Sequence, residues 1–232
     1  MDANRLSRII SAIGSSENLD SETYVAQVCR ASLELLAMSG TGLTLMSDQT
    51  EVGAVWASDP EALRVEDLQL SLGEGPALDA FRWAAPALEP DLASASVRWP
   101  FFGPAAVGLG VAAVFSFPLQ VGVIRLGALN LFRGTSGFLS REELADALVL
   151  ADVVTQDIID LQAEGGLHVT VAQSLGRRTH VHQATGIVAA QTGSDMAGAL
   201  ARIRAYAFAN EISIFDVADQ LIARRLKLDG TL

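Results

Sequence analysis

The chain is short of the residues that crosslink proteins and of the segments that cross membranes. Its 232 residues include a single cysteine, Cys29, so an intramolecular disulfide is excluded. Cys29 ends the apolar stretch 25–29, which indicates a buried helical thiol rather than a nucleophile. No apolar run reaches the roughly twenty residues that cross a bilayer, and no charged segment followed by an apolar core opens the chain. We therefore expect a cytoplasmic protein with no membrane partner.

Histidine and catalytic signatures are equally scarce. The three histidines are His168, His180 and His182, and the last two lie two positions apart, which points them to different faces of a helix. The chain has no Ser/His/Asp order, no phosphate-binding glycine loop and no metal-ligand spacing. The sequence therefore predicts a protein that is not an enzyme, with no catalytic residue and no metal site.

Lysine is almost missing, and the charges are unevenly distributed. Lys227 is the only lysine beside fifteen arginines, and the net charge is −11. Residues 1–168 carry nine arginines and twenty-two acids, which is −13, whereas residues 169–232 carry seven cations and five acids, which is +2. An acidic body with a mildly basic end favours contact with a polyanion at that end, although solvated surface arginines give the same count.

The last fifty residues contain three short amphipathic segments. The first spans residues 182–191 and stops at Thr192-Gly193, as a C-terminal glycine requires. Ser194 and Asp195 offer an N-cap for the second, and Asn210 closes it. Ser213 opens the third, with Asp216 in an acidic variant of the capping box. Helices this short are not stable alone, so we expect them to pack into a three-helix bundle.

The motifs of these segments resemble the ANTAR family. The opening run is Gln183-Ala184-Thr185-Gly186-Ile187-Val188, and residues 199–207 followed by Asp216-Val217-Ala218 are similar to the second and third helices of the family. The resemblance covers about fifty residues. It implies a module that binds paired RNA stem-loops and prevents a transcription terminator from forming, so that the downstream gene is read through.

The resemblance also implies a set of RNA-binding residues. They are Arg178, Ala184, Thr185, Gly186, Arg204 and Tyr206. Arginine meets phosphates bidentately, small residues let RNA approach a helix closely, and tyrosine stacks on unpaired bases. The alternatives are close helix packing for Ala184 and Gly186, and a half-buried core position for Tyr206.

The body before these segments combines helices and strands. Apolar spacing predicts helices over residues 6–13 and 21–38. Short apolar runs predict strands over residues 42–46, 53–57, 112–119 and 123–132, the last two joined by a hairpin at Gln120-Val121-Gly122. Four such strands predict a small antiparallel sheet flanked by helices, which places the chain in the α+β class.

Between the two strand pairs, residues 68–110 hold five of the seven prolines. Long irregular segments of this kind are typical of lids and binding loops. The motifs that carry a family resemblance are Gly73-Glu74-Gly75-Pro76, Arg98-Trp99-Pro100, Ser116-Phe117-Pro118-Leu119 and Leu126-Gly127-Ala128-Leu129-Asn130. In this order they are similar to the GAF half of actinobacterial proteins that carry an ANTAR tail. The resemblance implies a sensory domain that encloses a small molecule between its sheet and the overlying loops.

The ligand of such a domain is not evident. Aromatic residues predicted to line an apolar pocket are Trp83, Trp99, Phe101 and Phe102, with core filling as the alternative. Many relatives place cysteine after the Gly-Glu-Gly-Pro motif, but this chain has Ala77 there. No histidine lies in the body, which argues against haem, and Cys29 is poorly placed for a covalent bilin. The cofactor is therefore left unassigned, and the glycine motif is equally consistent with turn chemistry.

Residues 140–162 predict a helix that links body and tail. Ser140 with Glu143 forms a capping box, and apolar residues recur about every 3.5 positions from Leu144 to Leu161. This stripe suits a parallel homodimer or a helix packed on its own sheet, and the two are compatible if they use different faces of the helix. Gly165-Gly166 then offers a hinge. We expect a GAF-like domain with its linker helix over residues 1–162 and an ANTAR domain over residues 167–232.

These observations predict an RNA-binding transcription antitermination regulator, homodimeric and controlled by a sensory body. The alternative is a signalling adaptor whose helical tail docks a protein partner. RNA crosslinked to the tail favours the regulator, whereas a co-purified protein without RNA favours the adaptor.

Overall fold

The structure is a computed structural model that describes residues 3–14, 21–46, 55–94, 97–163, 176–210 and 212–228. The described helices are α1 (Ala3–Ile13), α2 (Ser21–Leu36), α3 (Pro60–Leu72), α4 (Pro76–Trp83), α5 (Phe102–Gly108), α6 (Arg141–Ala163), α7 (Gly176–Thr192), α8 (Met196–Ala209) and α9 (Ile214–Ile222). The described strands are β1 (Gly40–Leu45), β2 (Val55–Ala57), β3 (Ala87–Glu89), β4 (Ala113–Val121) and β5 (Ile124–Arg133). The predicted α+β class is confirmed.

One antiparallel sheet organises the body, with strand order β2-β1-β5-β4-β3. The predicted hairpin connection at residues 120–122 was wrong by about one residue. A register shift at Leu119/Gln120 lets β4 continue to Val121, so the turn is Gly122-Val123. Gly122 has a φ of 57°, which glycine adopts without the steric cost that a Cβ brings.

The fifth strand, β3, was not predicted from the sequence. It pairs with β4, with Leu88 opposite Phe115. Three residues are too few to display the alternation that marks a strand, and β3 lies within the proline-rich segment 68–110. Of the predicted second strand, residues 55–57 form β2, and residues 53 and 54 lie outside the described residues.

The apolar face of the sheet packs against α1, α2 and α6. Large buried side chains of this core include Leu43, Phe115, Phe117, Leu129 and Leu131. They lie at alternate positions along their strands, so all of them point to one side of the sheet. Helix α6 begins with the predicted capping box, in which Ser140 N donates to Glu143 Oε2 at 2.6 Å and Glu143 N donates to Ser140 Oγ at 3.1 Å.

The structure shows where the apolar stripe of α6 packs. Ala151, Val154, Ile158 and Leu161 are all buried in the core that α6 shares with α1, α2 and the sheet. Packing on its own body is therefore confirmed for these residues. In this conformation the same residues are not available for a coiled coil between two copies, and Leu148 is the partly exposed member of the stripe.

The opposite face of the sheet combines polar residues such as Asn130 with apolar ones such as Val114 and Phe132, and α3 and α4 cover it. Glu66 of α3 is buried against this face, where it accepts hydrogen bonds from Thr44 Oγ1 at 2.7 Å and from Asn130 Nδ2 at 2.6 Å. Gly42 makes room for the carboxylate, because a Cβ at this position would lie 2.7 Å from the Glu66 carboxyl carbon. A buried carboxylate is costly without such donors.

Helices α7, α8 and α9 form a separate three-helix bundle at the C-terminal end. Its first helix begins at Gly176, six residues before the predicted start at residue 182. The other boundaries follow the predicted caps: Gly193 has a φ of 67°, Asp195 accepts from Gly198 N at 2.8 Å, and Ser213 accepts from Phe215 N at 3.1 Å. The bundle core contains Val181, Ala184, Val188, Ala199, Ile203, Val217, Ala218 and Leu221. The predicted hinge at Gly165-Gly166 lies outside the described residues.

The buried thiol of Cys29 provides a test of this fold. Burial raises the pKa of the thiol to about 12, and the carboxylates of Glu66 and Asp59 add to the shift. At about pH 8 the higher pKa makes the thiolate fraction roughly a thousandfold smaller than for a free cysteine. Labelling slows with this fraction, because only the thiolate is nucleophilic. We expect a water-soluble maleimide to label the native chain at least about a hundredfold more slowly than the urea-unfolded chain, as measured by mass spectrometry. Equal labelling rates would contradict the buried position.

Candidate nucleic-acid interface

Helix α7 divides the predicted RNA-binding residues between two faces. Ala184 and Thr185 lie on the inner face, where Ala184 packs in the bundle core and the Thr185 hydroxyl donates to Val181 O at 2.7 Å. Both residues are buried because their positions, three and four after Val181, repeat the inward-facing spacing of the helix. The alternative of close helix packing therefore describes Ala184 in this structure.

The outer face of α7 is open. A Cβ placed on Gly186 would meet nothing within 4 Å among the described residues, and His182, one turn earlier, is exposed. Arg178 belongs to the same face by its spacing of four and eight residues from these two positions. Its side chain lies outside the described residues. This face offers close approach to a large ligand, because it presents little side-chain bulk at Gly186.

Beside this face lies a groove of about 560 Å³ between α7 and the segment that follows α9. Ile187 and Ala190 form one wall, Leu221 and Leu226 contribute to the other, and the charged residues that line it are Arg224 and Lys227. Among the described residues, no acid belongs to this lining. The groove therefore combines an apolar floor with two cations, which suits a phosphate backbone and an unstacked base.

Arg224 reaches the groove with a backbone conformation that is uncommon for its residue type. Its φ is 57°, in the left-handed region that favours glycine. Ala223 and Arg224 end α9, since their amides donate to Asp219 O and Leu221 O. Arg224 and Lys227 are among the seven cations of residues 169–232, but neither was predicted from the sequence to belong to a site. The signal that identifies them is a basic cluster directly after the last helix, where the chain turns back.

Arg204, the other predicted phosphate contact, lies on a different surface of the bundle and contacts the body. Its Nε donates to Leu70 O at 2.9 Å, near the C-terminal end of α3. The last four carbonyls of a helix lack partners within it, and a cation there also interacts favourably with the helix dipole. Arg204 therefore caps α3 from across the domain boundary.

The glycine motif at residues 73–76 makes this contact possible. Gly73 ends α3 with a φ of 69°, and a Cβ there would lie 2.7 Å from Arg204 Nη1. Glu74 Oε1 accepts from Phe101 N and Phe102 N at 2.7 Å, and Pro76 begins α4. The motif thus performs turn chemistry, as one interpretation held, and it also leaves space for an arginine from the bundle.

Two apolar contacts extend the junction between body and bundle. Leu70 of α3 is buried within the apolar cluster of the bundle rather than within that of the body. Phe208 of α8 packs edge-on against Phe101, with ring centroids 5.2 Å apart. Such aromatic pairs contribute about 0.5–1.5 kcal/mol beyond burial. The junction therefore combines a hydrogen bond with buried apolar and aromatic contacts, and together they hold α8 against the body.

The remaining predicted site residues are dispersed. Tyr206 is half-buried and packs against the bundle core. Trp99 and Phe102 are buried together in the cluster beneath α3, with an edge-on ring contact at 6.2 Å. Trp83 is 73% exposed, and Phe101 faces the bundle. The structure does not bring the four aromatic residues together around one cavity.

His180 is also engaged within the bundle. Its Nδ1 lies 2.6 Å from Asp219 Oδ1 of α9, with both side chains about half exposed. The contact ties the start of α7 to α9. His182, two residues later, is also exposed.

The bundle can now be compared with known families. Residues 170–222 match the ANTAR domain family. The match begins before α7 and ends at the last residue of α9, so the ANTAR domain contains all three helices of the bundle. The groove cations Arg224 and Lys227 lie just beyond it. No curated protein matches the chain significantly.

The body has the fold of a GAF domain. It is similar to the GAF domain of a phosphoenolpyruvate-protein phosphotransferase from Acinetobacter, with 14% identity, a TM-score of 0.52 and coverage of 70% of this chain and 95% of that one. A GAF domain from the corresponding protein of Coxiella burnetii is similar at 17% identity, with a TM-score of 0.51 and the same coverages. These likenesses establish the GAF-like fold ahead of the ANTAR domain.

Within the described part of the chain, no helix combines the length and apolar composition of a membrane span. The same residues contain no group of three or more histidine, cysteine, aspartate or glutamate side chains suited to a metal ion.

Proposed function

We propose that the protein is a transcription antitermination regulator of the type in actinobacteria that joins a GAF domain to an ANTAR domain. The ANTAR domain, assigned to residues 167–232, binds tandem RNA stem-loops. The GAF-like body, assigned to residues 1–162, senses a small molecule and controls that binding. The protein acts in the cytoplasm as a homodimer, in which two ANTAR domains engage two stem-loops and gain affinity from their connection.

The basic groove beside the open face of α7 is the observation that carries this proposal. Arg224 and Lys227 line the groove, and Gly186 lies one helical turn from Ala190 of its wall. Cations contribute affinity for the RNA backbone, and an accessible helix face allows a loop base to approach. Arg178, near the start of α7, is assigned a further phosphate contact.

The junction between the domains supplies the control. Arg204 is predicted to contact phosphate, but in this structure it donates to Leu70 O of the body. The same guanidinium edge cannot serve the body and an RNA phosphate together. The docked arrangement therefore competes with the full RNA contact, and release of α8 from α3 frees Arg204.

Binding to a tandem stem-loop RNA tests the function directly. We expect the full chain to bind such an RNA with an affinity that falls linearly in a plot of log affinity against log salt, and to bind a single stem-loop at least about tenfold more weakly. Fluorescence anisotropy with labelled RNA measures both. Binding that is insensitive to salt, or capture of a protein partner without RNA, would refute the proposal and support the adaptor alternative.

Releasing the bundle from the body should strengthen RNA binding. Phe101→Ala removes the ring contact to Phe208 without changing the ANTAR domain. An aromatic pair of about 0.5–1.5 kcal/mol corresponds to an increase in RNA affinity of up to about tenfold. Phe138→Ala is the matched control, because Phe138 is an exposed phenylalanine of the body. Unchanged or weaker RNA binding by Phe101→Ala would show that docking does not compete with RNA.

A further inference from the structure

A second cavity lies where the two domains meet. This cleft of about 680 Å³ is bounded by α3 and the end of α5 on the body side, and by α8 and the start of α9 on the ANTAR side. Its volume falls within the range of about 300–1,000 Å³ that is typical of small-molecule sites, which also occur preferentially between domains. It is separate from the basic groove, and it contains none of the four aromatic residues predicted to bind a ligand.

The walls of the cleft are apolar and partly exposed. Leu68 and Leu72 belong to the body wall, with Leu109 at its edge, and Phe208 and Phe215 belong to the ANTAR wall. Phe208 is 63% exposed and Leu109 is 37% exposed. Apolar surface that converges on a concave site from two sides gains free energy when a ligand covers it, at roughly 25 cal/mol per Å².

The charges of the cleft favour an anion. Two arginines and one aspartate line it, Arg64 and Asp67 from α3 and Arg204 from α8. Asp67 and Arg204 both have partners within the protein. Arg64 is exposed at the rim, so it is placed to meet a charged group of a ligand. The serines Ser71 and Ser213 add hydroxyl groups on opposite walls.

We propose that this cleft binds a small amphipathic molecule with an aliphatic or aromatic body and one oxyanion, a carboxylate or a phosphate. The apolar body packs between the leucines of α3 and Phe208, and the oxyanion meets Arg64 at the rim. Because such a molecule contacts both domains at once, it binds the docked arrangement and not the released one. This ligand site rests on the proposed function. It places the sensed small molecule at the junction, where the bound ligand keeps Arg204 in contact with the body.

Two dyes with the same aromatic body test the site in the full chain. Anilinonaphthalene sulfonate carries an anion, and N-phenylnaphthylamine is its neutral counterpart. We expect the anionic dye to bind with one saturable site and about threefold more tightly than the neutral dye, the gain of one exposed ion pair. Equal affinities would overturn the assignment of the oxyanion, and the absence of saturable binding would overturn the site.

Variants locate the bound dye. Ser71→Trp fills the cleft and should abolish saturable binding, whereas Ser71→Ala should leave it within about twofold. Arg64→Glu should weaken the anionic dye about fivefold, because attraction becomes repulsion at an exposed rim. Arg141→Glu, an equal charge change on α6, should leave it unaltered. Retained affinity in Ser71→Trp, or equal losses in the two arginine variants, would place the dye elsewhere and refute the proposal. Circular dichroism verifies that each variant is folded.

The link to RNA is measured separately. With the anionic dye at about ten times its dissociation constant, RNA affinity should fall by up to about tenfold, because the dye stabilises the docked arrangement. Phe101→Ala should reduce this effect. The dye titration uses no RNA, so a chain that binds dye in the cleft but no RNA refutes the proposed function and leaves the site intact. If bound dye leaves the RNA affinity unchanged, the proposed regulation of RNA binding by the ligand is refuted, but the RNA contact itself is not.

Discussion

We expect replacement of both Arg224 and Lys227 by alanine to lower the affinity for a tandem stem-loop RNA by about thirtyfold at physiological salt. Each cation lines the basic groove and, in the proposed function, contacts a phosphate. The loss of two such contacts at about 1 kcal/mol each gives this factor. The loss is electrostatic, so it also changes the salt dependence. The slope of log affinity against log salt should become shallower by roughly 1.4 to 1.8, the value for two phosphates.

Matched variants separate this contact from general charge. Arg30→Ala with Arg141→Ala removes the same charge from the acidic body, where Arg30 pairs with Glu34 at 3.7 Å and donates an exposed hydrogen bond to Ala12 O at 3.5 Å. This control should bind RNA within about twofold of the unaltered chain, since exposed pairs contribute little. If the control and the groove variant lose affinity equally, the groove is not the RNA site and the effect reflects net charge alone.

Gly42→Ala should destabilise the body by about 3 kcal/mol. The added Cβ would overlap the carboxyl group of Glu66, which is buried against the face of the sheet that α3 and α4 cover. Relieving the overlap breaks hydrogen bonds from Thr44 Oγ1 and Asn130 Nδ2 and leaves a buried carboxylate without those donors. Overpacking and lost hydrogen bonds each cost about 1–3 kcal/mol. The free energy of unfolding from urea titration measures the effect.

Gly40→Ala on the same strand and the same face is the control for this substitution. A Cβ there would meet Ala62 Cβ at 3.3 Å and the Phe132 ring at 3.6 Å, contacts that small shifts relieve. We expect it to cost less than about 1 kcal/mol. A difference below about 0.5 kcal/mol between the two variants would show that Glu66 moves aside freely and that its hydrogen bonds contribute little.

The C-terminal bundle was largely predictable, because its signals are local. Caps at Gly193, Asp195 and Ser213 mark helix ends by the chemistry of single residues, and the structure places a helix end at each. The same holds for the capping box of Ser140 and Glu143. A cap depends on hydrogen bonds within about four residues, so the sequence contains all that the prediction needs.

The candidate sites were less predictable, because they depend on distant residues. Arg204 and Leu70 are 134 positions apart, and their hydrogen bond cannot be inferred from either segment. Thr185 and Gly186 are adjacent in the opening motif, yet one is buried and the other lies on the open face. A motif names residue types, whereas the packing of α7 on its neighbours decides which of them a ligand reaches.

The sequence by itself determined the α+β class, four of the five described strands, the helices outside residues 58–110, the ANTAR assignment of the tail and the acidic character of the body. It did not predict α3, α4, α5 or β3. The ANTAR assignment follows from the resemblance of its motifs, and the other predicted features follow from spacing, capping and composition, which act over a few residues. Only the tertiary structure decided that the α6 stripe belongs to the body's own core, that Arg224 and Lys227 share a groove, and that Arg204 is held at the end of α3. Each of these depends on surfaces that come together only when distant segments pack.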